Sequence, residues 1–200
     1  MTKQISSDGL GGKDLMTIGI FTAVYFAVNL LVAFALGLIP IVSTLIPFVS
    51  SFILGIPMML YFTKIKKFGM IIITCIVYGG FLVLAGVGVY TLIFGTVCAL
   101  IAEFIVRSGN YHSTNRTIIA FAVVSVGANA NILQLAFASA RYLEKTAATY
   151  GEEYMNTMVG YYDAWWYVPV ILMSAFIGGV LGGLLGKTVL KKHFKKSGLI

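Results

Sequence analysis

Charge is scarce in this chain: 10% of its 200 residues are charged, against 59% that are hydrophobic. So little polar surface excludes a soluble domain and makes the chain an integral membrane protein. Within its long apolar runs the only acidic residue is Glu103, near one end of a run. A proton- or ion-coupled carrier needs titratable groups deep in the membrane to carry its coupling charge, so autonomous coupled transport is disfavoured. The i, i+4 spacing of Glu103 and Arg107 instead predicts a local ion pair. The sequence contains no G-x-x-x-x-G-K-[ST] loop, which excludes ATP use through that fold. It also shows no pair of inverted halves or interrupted helices of the kind that build secondary-transporter sites. Ser, His and acidic residues do not gather into a hydrolytic set, so no catalytic residue is assigned and no enzyme is expected.

Other scarcities narrow the chemistry further. The two cysteines, Cys75 and Cys98, lie inside apolar runs, where the thiol acts as a small apolar side chain and no disulfide is expected. His112 and His193 fall in separate polar segments without ligand company, so no metal site is expected. The apolar runs do not alternate in segments of about ten residues, which argues against a β-barrel. The polar stretch Met1 to Asp14 leads into a run too long for a signal-peptide core and lacking a small-residue cleavage site, so the first helix is expected to stay in the mature protein.

What is present is six continuous apolar runs, each near the roughly 20 helical residues that cross a bilayer. They predict helices near Leu15 to Leu38, Ile41 to Thr63, Met70 to Val87, Tyr90 to Val106, Thr117 to Ala140 and Trp165 to Leu190. The expected fold is an all-α membrane protein: six transmembrane helices in a single domain, residues 1–200. Lys3, Lys13, Lys64, Lys66, Lys67, Arg107, Arg116 and the tail lysines fall in alternate connections and at both ends. By the positive-inside rule both termini are cytoplasmic. Residues 1–14 then form a cytoplasmic segment, 141–163 an extracellular connection and 191–200 a basic cytoplasmic tail suited to anionic membrane lipids. The net charge of +7 is accounted for by this topology, and no nucleic-acid partner is expected.

Two features suggest recognition. In the first run Gly19, Ala23 and Ala27 recur every four residues, a smooth stripe that lets another backbone approach closely. Internal packing uses the same pattern, so the direction of the stripe decides its role. The second feature is the long outer connection, which holds Tyr142, Tyr150, Tyr154, Tyr161 and Tyr162 with four acidic groups, enough chain to fold over a pocket. Beneath it, Asn131, Gln134 and Arg141 share one side of the fifth helix with Gly127 and Ala138, while Asn129 falls opposite. Unpaired amides are costly in lipid, so they should face the bundle or a ligand. Tyr90, Trp165 and Trp166 stand at the outer boundary, where aromatic residues serve as interface anchors or pocket walls. The last run carries Gly178, Gly179, Gly182, Gly183 and Gly186, a doubled small-residue pattern read mainly as internal helix packing.

With these residues in view, the sequence resembles the substrate-binding S components of energy-coupling factor (ECF) transporters, and among them the integral membrane group called Trep_Strep. The stretches that carry the resemblance are 13–23, with Ala23-Val24-Tyr25-Phe26-Ala27 matching an A-x-x-x-A motif, and 55–60, 64–70 and 150–154. The resemblance implies an S-component-like bundle whose first helix, at Gly19, Ala23 and Ala27, lies against a transmembrane T component coupled to two cytoplasmic ATPases. It implies capture of a small organic micronutrient outside, vitamin-like or cofactor-like, with the ATP used by the partner ATPases and no cofactor held by this chain. Tyr90, Asn131, Gln134, Arg141, Tyr154, Trp165 and Trp166 are then the candidate substrate contacts. The abundant aromatics suit a ring system, a tetrapyrrole among them. The amino-terminal His-rich site of the nickel and cobalt branch is absent. Two other classes stay open: a membrane scaffold or regulatory subunit that binds a protein and no small molecule, and a self-sufficient channel or carrier.

Overall fold

The computed structural model describes residues 9–138 and 140–196. Residues 1–8 and 197–200, which belong to the expected cytoplasmic segment and basic tail, lie outside the described residues. The described residues form ten α elements: α1 Gly12–Leu36, α2 Pro40–Ser43, α3 Ile46–Lys64, α4 Met70–Leu84, α5 Tyr90–Ser108, α6 Thr114–Ala128, α7 Leu133–Ala136, α8 Ala140–Tyr150, α9 Glu152–Tyr162 and α10 Tyr167–Lys196, of which α8 and α9 make up the polar connection and the others lie in the apolar runs. Among the described residues there is no strand. Pro40 opens α2 and Pro47 lies in the first turn of α3, positions where a missing N–H costs no helical bond.

Five stretches are long and apolar enough to cross a membrane: Gly12–Leu36, Ile46–Lys64, Tyr90–Ser108, Thr114–Ala136 and Tyr167–Lys191. Met70–Leu84 is a shorter apolar helix, about 22 Å long from the helical rise per residue. It nonetheless runs between the same two ends of the bundle. Its start lies beside the end of α5, because the Ile71 N–H donates to Glu103 Oε1 at 2.8 Å. Its finish turns directly into the start of α5 through Gly86 and Gly88.

That contact corrects the expected Glu103–Arg107 ion pair. Glu103 is fully buried and caps the first turn of α4, whose free N–H groups attract a carboxylate. Arg107 instead lies over the Phe68 ring, 5.4 Å from its centroid. Among the described residues the ion pair is Lys67 with Asp14 at 2.8 Å, and the same Asp14 oxygen accepts the Gly11 N–H at 2.9 Å. It fastens the start of α1 to the turn between α3 and α4. Lys187 Nζ likewise reaches Asn115 Oδ1 at 3.3 Å, bringing the last part of α10 to the start of α6. The basic segments therefore gather at one end of the molecule.

The core is assembled by glycine contacts. α10 packs chiefly against α3 and α6. A Cβ at Gly178 would lie 2.4 Å from the Phe48 carbonyl oxygen, and one at Gly182 would lie 2.4 Å from that of Phe52. On the adjacent face, a Cβ at Gly179 would meet Ala122 Cα at 2.8 Å and one at Gly183 the Ile118 side chain at 3.1 Å. The doubled glycine pattern thus serves two neighbours, α3 with one file and α6 with the other. Around this seam, Leu54, Met58, Tyr61 and Phe121 fill the interior. The Tyr61 hydroxyl is satisfied by the Met70 carbonyl at 2.9 Å and Thr74 Oγ1 at 2.8 Å, as a buried phenol requires.

Candidate functional site

α1 rests against α2, α3 and α4, along one side only. It buries Ile18, Thr22, Tyr25 and Val32 and leaves Gly19, Ala23 and Ala27 exposed. A Cβ added at Gly19 would meet nothing within 4 Å. The stripe is flanked by outward apolar residues, Met16, Ile20, Leu31 and Phe34 among them. Only 22% of the apolar window of α1 is buried, against 61% for Thr114–Ala136, which marks α1 as the peripheral helix. The stripe faces away from the bundle.

At the opposite end from the lysines, the long connection is a pair of helices, α8 and α9, broken at Gly151 with φ +91°, a conformation that favours glycine. α9 buries Met155 and Met158 and packs on α2 and α7. It is tied down at Tyr154, whose hydroxyl donates to the Gly37 carbonyl at 2.7 Å, just past the end of α1. The Tyr154 ring stacks on Tyr150 at 5.4 Å, and Tyr162 meets Tyr167 edge-on at 4.9 Å. Burial pushes the Tyr142 and Tyr162 phenols above their ordinary range, so both stay neutral at physiological pH. Removing the tether by Tyr154→Phe should cost about 1 kcal/mol of α9 docking. Amide exchange over Glu152 to Tyr162 should then rise about fivefold while the α3 and α10 amides stay unchanged; unaltered exchange would show that the tether does not hold α9.

Beneath α9 the expected fifth helix is interrupted. α6 ends at Ala128, a 3₁₀ turn covers Ala130–Ile132, and α7 supplies one further turn. This corrects the continuous helix expected from Thr117 to Ala140. The single side that gathered Gly127, Asn131, Gln134, Ala138 and Arg141 does not exist as one helical face. Asn129, assigned to the opposite side, is the buried amide at the break: its Nδ2 donates to the Ser125 carbonyl at 2.8 Å and to Ser51 Oγ at 3.4 Å. An Asn that can bond its own preceding turn suits a helix end, and that was the signal available in the sequence. Thr91, in the first turn of α5, is also buried, with no hydrogen-bond partner for its hydroxyl among the described residues.

The other candidates divide. Gln134 is half-buried and lies over the turn before α5, where a Cβ at Gly88 would come within 2.2 Å of its Oε1. Gly88 has φ +115°, a backbone conformation that favours glycine there. Asn131 is half-buried in the 3₁₀ turn. Tyr90 stacks on Phe137 at 6.1 Å, joining the start of α5 to the end of α7. Tyr90, Asn131, Gln134 and Tyr154 thus belong to the end of the bundle away from the lysine-rich segments. Trp165 and Trp166 are 87% and 52% exposed and point outward, as interface anchors do. The Arg141 side chain lies outside the described residues.

Long apolar helices, a core of glycine seams and an outward apolar helix define a multi-pass, all-helical membrane protein. The chain belongs to Trep_Strep, a family described as hypothetical bacterial integral membrane proteins, whose model matches residues 12–196. It is accordingly a multi-pass protein of the bacterial cell membrane. No curated protein and no solved structure matches the chain.

Proposed function

We propose that this protein is the substrate-binding S component of an ECF-type importer. The observation that carries this reading is the outward stripe of Gly19, Ala23 and Ala27 on the most exposed helix. Two small-residue files on α10 are consumed inside the bundle, yet this one has no occupant among the described residues. A T component fits such a face, with two ATPases beneath it supplying the energy that this chain has no groups to provide.

In this reading all six long helices cross the bilayer, α4 included, since it runs the length of α5. The lysine-rich end is cytoplasmic by the positive-inside rule. The outer end, under α9, receives a small organic micronutrient of vitamin or cofactor type. Asn131 and Gln134 supply polar contacts, Tyr90 a wall, Tyr154 the lid, and Trp165 and Trp166 the rim at the membrane surface; Arg141 completes the polar set. Gently solubilised protein should copurify a small organic molecule identifiable by mass spectrometry. A preparation that carries none and binds none of a panel of vitamins would favour a scaffold that binds a protein alone. Uptake by the isolated chain in liposomes, without ATPases, would overturn the dependence on partners.

A further inference from the structure

The end of the molecule opposite the lid holds a recess of about 640 Å³ between the ends of α3 and α10 and the α5–α6 connection. Lys64, Lys66, Lys187 and Lys191 line it, and no carboxylate is among the described lining residues. Asp14, on α1, is engaged by Lys67, and the buried Glu103, which Tyr111 approaches, is committed to the Ile71 N–H. The recess has an apolar side as well, formed in part by Phe62, and hydroxyl donors including Thr117. Four lysines around one recess, with no carboxylate among the described lining residues, concentrate positive charge that favours an anion.

We propose that this recess binds a phosphate-bearing anion. Ammonium groups act on phosphate as mobile point charges and do not require the planar pairing that arginine gives to carboxylates. The volume lies within the usual range of small-molecule sites. The neighbouring apolar wall suits a phosphate joined to a glycerol backbone, and basic pockets between membrane helices hold anionic headgroups in this way. A soluble phosphate satisfies the same lysines without using the wall. The site is at the far end of the bundle from the lid and stands independently of the transport reading.

The test uses the full chain in neutral detergent. Native mass spectrometry measures retention of phosphatidic acid against phosphatidylcholine of the same acyl chains, and calorimetry measures binding of inorganic phosphate alone. The Lys64→Gln, Lys187→Gln, Lys191→Gln triple variant should lose roughly 100-fold in affinity for the ligand that the native chain selects. The matching Lys→Arg triple should retain it, and Lys145→Gln at the other end should have no effect. Lysine-dependent selection of phosphatidic acid identifies a lipid headgroup, and lysine-dependent binding of inorganic phosphate identifies a soluble source. A native chain that takes neither, or a Gln triple that binds both as the native chain does, overturns the site.

Discussion

Gly182→Leu is expected to prevent stable assembly of the bundle. The Cβ alone would stand 2.4 Å from the Phe52 carbonyl oxygen and 2.8 Å from that of Ser51, so the obstruction is backbone and cannot rotate away. Across the seam, a Cβ at Gly55 would reach within 2.0 Å of the Gly182 carbonyl carbon. The two helices touch glycine to glycine. A leucine forces α3 and α10 apart, at a cost of about 3 kcal/mol or more for overpacking, and it also removes the close contacts that hold membrane helices together where water cannot drive burial. Thermal unfolding in detergent should show a much lower midpoint or no cooperative transition. The control is Gly19→Leu, where the new side chain meets open space, and its midpoint should match that of the native protein. Equal behaviour of the two variants would mean that the seam is not the basis of assembly.

The second large effect is expected on partnership and not on folding. Ala23→Trp with Ala27→Trp should abolish copurification with a T component and its ATPases. The bulk is added to the exposed face of α1, so unfolding and micronutrient affinity should stay within about twofold of native, as for a surface substitution. A docking face without pockets has no means to accept an indole, because close backbone approach is the interaction itself. Joint loss of stability and assembly would instead mark the stripe as an internal contact. Retained assembly with both tryptophans in place would remove the T component from this face.

Much of this architecture is legible in the sequence because hydropathy sums over a whole crossing, and α1, α3, α5 and α10 come out within a few residues of the apolar runs. What hydropathy cannot resolve is an interruption that keeps the run apolar. Ala128, Ala130 and Ile132 around Asn129 are as hydrophobic as a continuous helix would be, so the break in the fifth crossing leaves little trace. The glycine files have the opposite difficulty. Gly19-Ala23-Ala27 and Gly178-Gly182-Gly186 are the same signal in one dimension, and only the placement of neighbours shows that one is vacant and the other filled. Of the candidate ligand residues, Tyr154 was legible as part of the long connection, but its partner at Gly37, 117 residues away in the chain, was not. Glu103 misled for a related reason. Spacing along one helix pointed to Arg107, whereas a buried carboxylate is held by the donors of the next helix.

That last contact bears on how the chain enters the membrane. α4 has only 15 residues, and the acceptor for its Ile71 N–H resides on α5. During synthesis α4 emerges first and must wait for a residue 32 positions further on before its leading turn is satisfied. The leading turn of α4 is therefore completed only once α5 lies beside it, with Glu103 as the latch that joins the two segments.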